Sequence, residues 1–346
     1  MIRVLHLVPT LGTGGAERQL YLLCRESRAH VEHSVVVAWA EGRWAAPLRE
    51  LGVEVRCLNT RLRDPRLVPR AWRSIGKTDP DIVHCWLPSM NVIGALAAGQ
   101  RPVIASVRNV DDWKPWTYRL LDRVISPCWN AVIANSHAGA AQFAVAARVD
   151  SSAVHVVANG ISERTPAPKP DTACFHVLTA CRLVSQKRVD RILAAARSLP
   201  EFRFRIAGDG PERAHLERTA PGNVEFLGEI TQVAAQLDWA GFFMLSSERE
   251  GTSNALLEAM QSGCVPVVTE AGDNARIVQN QKSGRVVQPD QLAEAVRECL
   301  PVWREMSDAA RKSAAQYTVP VMAERTLHVY RSLARAAGTN PLPRLH

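Results

Sequence analysis

Short apolar runs alternate with longer amphipathic stretches along nearly the whole of this chain, and that rhythm leaves few folds open. In the first half the runs fall at residues 4–9, 34–38, 53–58, 82–85, 103–107 and 131–134. Several are apolar at consecutive positions, as in Ala131-Val132-Ile133-Ala134, so both faces of the strand are expected to be buried. Strands of that kind, separated by helices, build a parallel doubly wound sheet. The rhythm breaks at 162–170, where Pro166, Pro168 and Pro170 mark a linker. It resumes with runs at 176–180, 203–207, 224–227, 242–245 and 265–268. The expectation is an α/β chain of two Rossmann-like doubly wound domains, 1–162 and 163–346, facing each other across a cleft. The last helix, about 319–337, is expected to pack back on the first domain, and the tail from 338 onward to fray. With 346 residues and 47% hydrophobic side chains, the chain has enough apolar surface for two cores.

Composition removes several classes of function. The eight cysteines are scattered, with no Cys-x-x-Cys pair, so they read as reduced cytosolic thiols and not as a zinc or disulfide framework. The apolar run at the N-terminus is too short for a signal peptide, and no stretch approaches the roughly 20 apolar residues of a membrane span. A cytoplasmic protein is expected, resting at most on the inner face of the cytoplasmic membrane. A net charge of +8 favours anionic partners. Its densest cluster is Arg61, Arg63, Arg66, Arg70, Arg73 and Lys77, interleaved with Leu62, Leu67, Val68, Trp72 and Ile75. This is either a solvated helix face or a basic amphipathic surface for anionic lipid. No nucleic-acid motif accompanies the charge, so no nucleic-acid partner is expected.

The most chemically specific stretch runs from Ser246 to Met260 and places Glu250 and Glu258 on either side of a helix start. Thr252 and Ser253 are good N-cap residues, and Ala255 to Gln261 are good helix formers stopped by Gly263. The first N–H groups of that helix lack intrahelical partners and favour a phosphate. Glu258 lies on the order of 7 Å along the helix, so the two carboxylates flank the phosphate position as hydroxyl acceptors. The pattern suits a nucleoside diphosphate sugar, although a capped, solvated helix has the same spacing. Upstream, Arg182 and Lys187 follow the run at 176–180. Two fixed cations at an open cleft suit a departing diphosphate, and two ordinary surface cations would look the same. The turn Gly12-Thr13-Gly14-Gly15-Ala16-Glu17 follows the first strand but departs from a dinucleotide fingerprint, because Glu17 stands where a glycine or alanine belongs. It suits either a backbone that comes close to a ligand or a simple tight turn.

Taken in order, several short motifs carry a resemblance. They are Gly14-Gly15-Ala16-Glu17, Asp81-Ile82-Val83-His84, Ala134-Asn135-Ser136, Asn159-Gly160-Ile161, Arg182-Leu183 with Lys187, Ala207-Gly208-Asp209-Gly210-Pro211, Phe226-Leu227-Gly228, and Glu250-Gly251-Thr252-Ser253 with Leu257-Glu258-Ala259-Met260. Over nearly its whole length the chain resembles retaining glycosyltransferases of family 4, which have the two-domain GT-B fold. The resemblance implies a retaining hexosyltransferase that moves a sugar from a UDP-sugar, or a GDP-sugar, to a glycan or polyprenyl-linked acceptor in surface polysaccharide or glycolipid synthesis. It implies that Arg182 and Lys187 hold the diphosphate and Glu250 the donor sugar. Glu258 would take the ribose, and Gly14, Gly15, Gly228, Gly251, Thr252, Ser253 and Asn254 would line the donor.

The resemblance also implies no cofactor and no metal, in keeping with the lack of an Asp-x-Asp pair suited to Mg²⁺, and front-face attack without a covalent nucleophile. Many relatives carry a histidine where this chain has Arg108-Asn109. Glu17, His84, Arg108 and Asn109 are therefore the candidates for acceptor or sugar contacts, with a buried structural role the plainer reading of His84. His137 beside Ser136 is read as part of a helix cap. Trp86, Trp113 and Trp116 are read as acceptor-stacking, lipid-facing or packing side chains. The rival readings are a GT-B sugar-nucleotide epimerase, a glycoside hydrolase and a non-catalytic nucleotide-sugar-binding relative.

Overall fold

The computed structural model describes residues 1–110, 115–230 and 233–339, with side chains through 336. The chain divides into two compact units. One comprises Met1–Gly160 with the C-terminal helix that begins at Val319, and the other comprises Ile161–Thr318.

The first unit is built on seven strands: β1 (Ile2–Thr10), β2 (Val31–Ala40), β3 (Glu54–Cys57), β4 (Ile82–Cys85), β5 (Val103–Val107), β6 (Ala131–Ala134) and β7 (Val154–Val156). They are parallel and ordered β3-β2-β1-β4-β5-β6-β7, so the chain order reverses between β1 and β4. One face is covered by the helices Gly15–Ser27 and Val319–Thr339, through Leu20, Leu23, Met322 and Tyr330. The other is covered by the helices Leu67–Thr78, Pro88–Ala97 and His137–Ala147, through Ala71, Ile75, Met90 and Phe143. β1 and β2 run longer than their apolar cores because each is paired along its length, from Ile2↔Val31 onward, and the ladder carries polar Arg3 and Glu32 into the strands. β7 has only three residues, too short for a periodic signal.

Inside this unit the polar side chains form a continuous donor chain. The Trp86 indole donates to His6 Nδ1 at 3.1 Å, which leaves the proton of a neutral His6 on Nε2. That nitrogen faces His33 Nδ1 at 2.9 Å, His33 Nε2 faces Ser27 Oγ at 2.9 Å, and Ser27 donates to the carbonyl of Leu23. His84 lies beside this chain, with Nδ1 2.7 Å from the Tyr330 hydroxyl and Nε2 2.9 Å from Ser106 Oγ. Burial holds all three histidines below their usual range, and His33 falls to about 4.

The second unit carries β8 (His176–Ala180), β9 (Arg203–Ala207), β10 (Val224–Gly228), β11 (Phe242–Leu245), β12 (Val265–Thr269) and β13 (Arg285–Val287). These too are parallel, in the order β10-β9-β8-β11-β12-β13, and the reversal falls between β8 and β11. The expected linker at 162–170 is not a free tether. Arg164 bonds Ser262 Oγ at 2.7 Å and pairs with Asp238. Lys169 is buried, with its ammonium on the carbonyls of Leu237 and Ala240. A buried ammonium needs such acceptors, which is why this segment belongs to the second unit. Among the described residues, no helix is long and apolar enough to cross a membrane.

The His33 shift sets a pH dependence. The imidazole titrates near 6.5 when unfolded and about 4 when folded, so its contribution to stability is complete above pH 6.5 and is lost as pH falls toward 4. At about 1.4 kcal/mol per unit, the loss is a few kcal/mol. Urea unfolding at pH 7.5 and pH 5 should show the wild type losing more stability than His33→Gln. An equal loss in both proteins would sink the assignment.

Candidate functional site

In an open parallel sheet the loops leaving the strand C-termini part at the reversal of strand order and leave a crevice. In the second unit these are the loops after β8 and β11, which carry the residues singled out by sequence. Lys187 forms an ion pair with Glu250 Oε1, 63 positions further along the chain. Ser247 Oγ donates to the same carboxylate oxygen at 2.7 Å, and the Ser247 carbonyl is held by Thr269 Oγ1 at 2.8 Å. The two loops are also tied by backbone, with the Glu248 N–H on the Gln186 carbonyl and the Gln186 amide on the Arg249 carbonyl.

Two glycines in the flanking loops, after β9 and β12, pack directly against the backbone of these two loops. A Cβ on Gly208 would collide with the Cys181 carbonyl, and one on Gly272 with the Glu250 carbonyl; both glycines have positive φ. The Cys181 and Leu183 N–H groups bond the carbonyls of Ala207 and Asp209, which pins the backbone on both sides of Arg182. The Arg182 side chain is exposed and pairs with no carboxylate among the described residues. Past Glu250, the Asn254–Gln261 helix begins with Ser253 as N-cap, whose hydroxyl accepts from Leu256 N at 3.4 Å. Gly251 and Thr252 are buried, and Ser253, Asn254 and Glu258 are partly exposed. Gly228 ends β10 with φ +67° and lies against Arg213.

Lys187 departs from expectation. It is mostly buried against Glu250 instead of standing free at an open edge, because a carboxylate only 7% exposed needs a cation beside it. The sequence reading also missed Ser247, Thr269, Gln186 and Gly272, which set the position of Glu250. The signal available for Ser247 and Thr269 was a small polar residue at or just past the end of an apolar strand.

The remaining candidates belong to the first unit. Gly14 is the N-cap of the Gly15–Ser27 helix without a side-chain cap. Glu17 folds its carboxylate back against Gly14 and accepts from Thr10 Oγ1 at 3.2 Å, so this helix start already faces a negative charge. His84 is fully buried with both ring nitrogens engaged, which leaves it the structural one of its two readings. Trp86 is likewise buried, which rules out stacking on a sugar or lipid, whereas Trp116 is 73% exposed; Trp113 lies outside the described residues. Asn109 turns its side chain onto the Val110 N–H at 2.9 Å. Ser136, not His137, supplies the cap of the next helix.

An Asp-x-Asp pair does occur, at Asp79-Pro80-Asp81, but it precedes β4 at the opposite edge of the sheet. Its carboxylates are taken by Arg3 and Arg101. His6, Cys24 and His33 place ligand atoms within 4.8 Å of one another, yet both nitrogens of each histidine are committed to the donor chain.

Two Rossmann-like parallel sheets of seven and six strands, the second with cation, carboxylate and helix start gathered at its switch point, define the GT-B class of fold. The crystal structure of Anabaena Alr3699/HepE in complex with UDP-glucose matches with a TM-score of 0.82 at 19% identity, covering 96% of this chain and 100% of that one. Sucrose-phosphate synthase from Thermosynechococcus elongatus matches with a TM-score of 0.80 at 15% identity, over 96% and 100%. The family model for Glycosyltransferase Family 4 matches residues 13–164, and that for Glycosyl transferases group 1 matches residues 174–301. The chain belongs to the family 4 glycosyltransferases.

Among curated relatives, sulfoquinovosyl transferase SQD2 of Arabidopsis thaliana is 25% identical over 290 residues, 73% of this chain and 56% of that protein. The gpi3 subunit of phosphatidylinositol N-acetylglucosaminyltransferase from Schizosaccharomyces pombe is 25% identical over 236 residues, 62% of this chain and 52% of that protein. The chain thus spans about half the length of the curated relatives it matches.

Because the Lys187–Glu250 pair is largely buried, removing one partner strands the other. Lys187→Met and Glu250→Gln should each destabilise, and the double variant should recover part of the loss, with a coupling of about 1–3 kcal/mol in a denaturation cycle. Arg182→Ala should change stability by less than about 0.5 kcal/mol. Additive single-variant losses would contradict the pairing.

Proposed function

We propose that this chain is a retaining hexosyltransferase that uses a nucleotide sugar, with UDP the favoured carrier, and requires no metal. The observation that carries the reading is the convergence at the β8–β11 switch point: Arg182 and Lys187 from the loop after β8 meet Glu250 and the start of the Asn254–Gln261 helix from the loop after β11 at one edge of one sheet. A diphosphate placed there meets Arg182, Lys187 and the N–H groups that follow Ser253. Glu250 accepts from hydroxyls of the donor sugar, Glu258 from the ribose, and the β10 end at Gly228 borders the base. Residues Gly251, Thr252, Ser253 and Asn254 line the donor. The UDP and UDP-glucose in the Anabaena structures support a UDP-linked donor.

In the proposed reaction the bond from the sugar C1 to the diphosphate oxygen breaks, and a new bond from C1 to the acceptor oxygen forms on the same face. The acceptor proton passes to the departing diphosphate. Arg182, Lys187 and the helix start stabilise that leaving group, and with attack on the same face no side chain acts as nucleophile. A buffer with chelator should still allow UDP binding measurable by calorimetry, and Glu258→Ala should weaken it about tenfold, the loss of roughly one charge-assisted hydrogen bond. No UDP or GDP binding at millimolar concentration would remove the transferase reading.

We assign the acceptor to glycans or polyprenyl-linked glycans at an anionic membrane face. The Trp116–Ile125 helix supports this: Trp116, Tyr118, Leu120, Leu121 and Val124 are all exposed alongside Arg123. The Leu67–Thr78 helix adds exposed Trp72, Arg73 and Lys77. Apolar side chains that enter the interface beside arginines suit an anionic leaflet. Flotation with phosphatidylglycerol vesicles should recover the wild type and lose Trp116→Glu/Val124→Glu, whereas equal recovery of both would refute the contact.

A further inference from the structure

Arg108 stands directly after β5, at the strand end next to β4, the edge where open α/β sheets hold ligands. Its guanidinium lies 4.1 Å from the ring centroid of Trp86, which is itself fixed by its bond to His6 and by stacking on His84. Its Nε is buried with no hydrogen-bond partner. Among the described residues no carboxylate pairs with it. The titratable groups among the described residues that interact with it are His6, His84 and Tyr330, which burial keeps uncharged at neutral pH. Burial lowers Arg108 itself to about 10, so it remains a cation.

The backbone here is clamped. Asn135 Nδ2 donates to the Arg108 carbonyl at 3.2 Å, and Asn91 bonds both the N–H and the carbonyl of Ser106 at 3.0 Å. The residue as a whole is half-buried. A guanidinium with no counter-charge among the described residues is costly to bury, and stacking on an indole offsets only part of that cost. Its planar donors match the paired oxygens of a phosphate or carboxylate, which would complete the missing interactions.

We propose that Arg108 is the anion clamp of the first unit, which selects acceptors bearing a phosphate or carboxylate group. The assignment of that anion to an acceptor rests on the transferase reading above. The test is arginine Nε–H NMR on the full-length protein, with the Arg108 signal identified by its loss in Arg108→Lys. Inorganic phosphate and acetate are titrated separately. A saturable shift of the Arg108 signal with phosphate alone assigns a phosphorylated acceptor, and a shift with acetate assigns a carboxylate-bearing one.

Arg108→Met, which keeps length and removes charge, should abolish the accompanying shift of the Trp86 indole N–H. No Arg108 response to either anion overturns the clamp, as does a Trp86 shift that survives in Arg108→Met. UDP added to the same sample separates the two claims. UDP binding with no Arg108 response to phosphate or acetate overturns the clamp and leaves the transferase reading intact. An Arg108 response without UDP binding keeps the anion site and removes that reading.

Discussion

Lys187 and Glu250 touch because β8 and β11 are neighbours in a sheet whose chain order reverses between them. Everything placed around the pair follows from that adjacency. The loops leaving the two strands diverge along the chain but start side by side, so short polar side chains suffice to lock them. Ser247 fixes the carboxylate, Thr269 fixes Ser247 from the next strand, and the Gly272 turn closes against the Glu250 backbone. A residue with a Cβ at Gly208 would push the loop after β9 away from the Cys181 carbonyl, and one at Gly272 would push the turn after β12 away from the Glu250 carbonyl, so each half of the pair loses a backbone neighbour.

The first unit uses the same topology for a different purpose. Its reversal falls between β1 and β4, and the strands meeting there carry His6 and His84, paired in register. In place of an ion pair, that centre holds a chain of neutral donors and acceptors running from Trp86 to the Leu23 carbonyl. A buried network of this kind is stable only when every member is satisfied, which fixes the tautomers and excludes protonation. Arg108 sits at its rim, and its charge has no counterpart inside the network.

Much of the fold was legible because continuous apolar runs have one economical explanation, a strand covered on both faces. Runs such as 82–85, 103–107, 131–134, 176–180, 203–207 and 242–245 coincide with strands residue for residue. β7 and β13 escaped notice because three residues carry no period, and β1 and β2 extend beyond their apolar centres because pairing, not composition, sets their ends. The helix start after Ser253 was readable from capping chemistry, which is local. The Lys187–Glu250 contact was not, since contact between loops 63 positions apart depends on strand order. The burial of His84 and Trp86 was hidden for the same reason: Tyr330 closes over His84 from a helix 246 positions away.

The ion pair also constrains how the proposed site can work. With Glu250 neutralising Lys187, the net positive charge at the switch point comes from Arg182 and the helix start, and these would attract a diphosphate first. Lys187 can turn to the phosphate only if the Glu250 carboxylate keeps other donors. Ser247 already supplies one, and a sugar hydroxyl would supply the second. Donor sugar and diphosphate would then each replace one half of the pair, so neither buried charge is left alone. A bare nucleoside diphosphate provides the anion without the hydroxyl. It would leave Glu250 one donor short, and the whole nucleotide sugar therefore fits this arrangement better than its leaving group does.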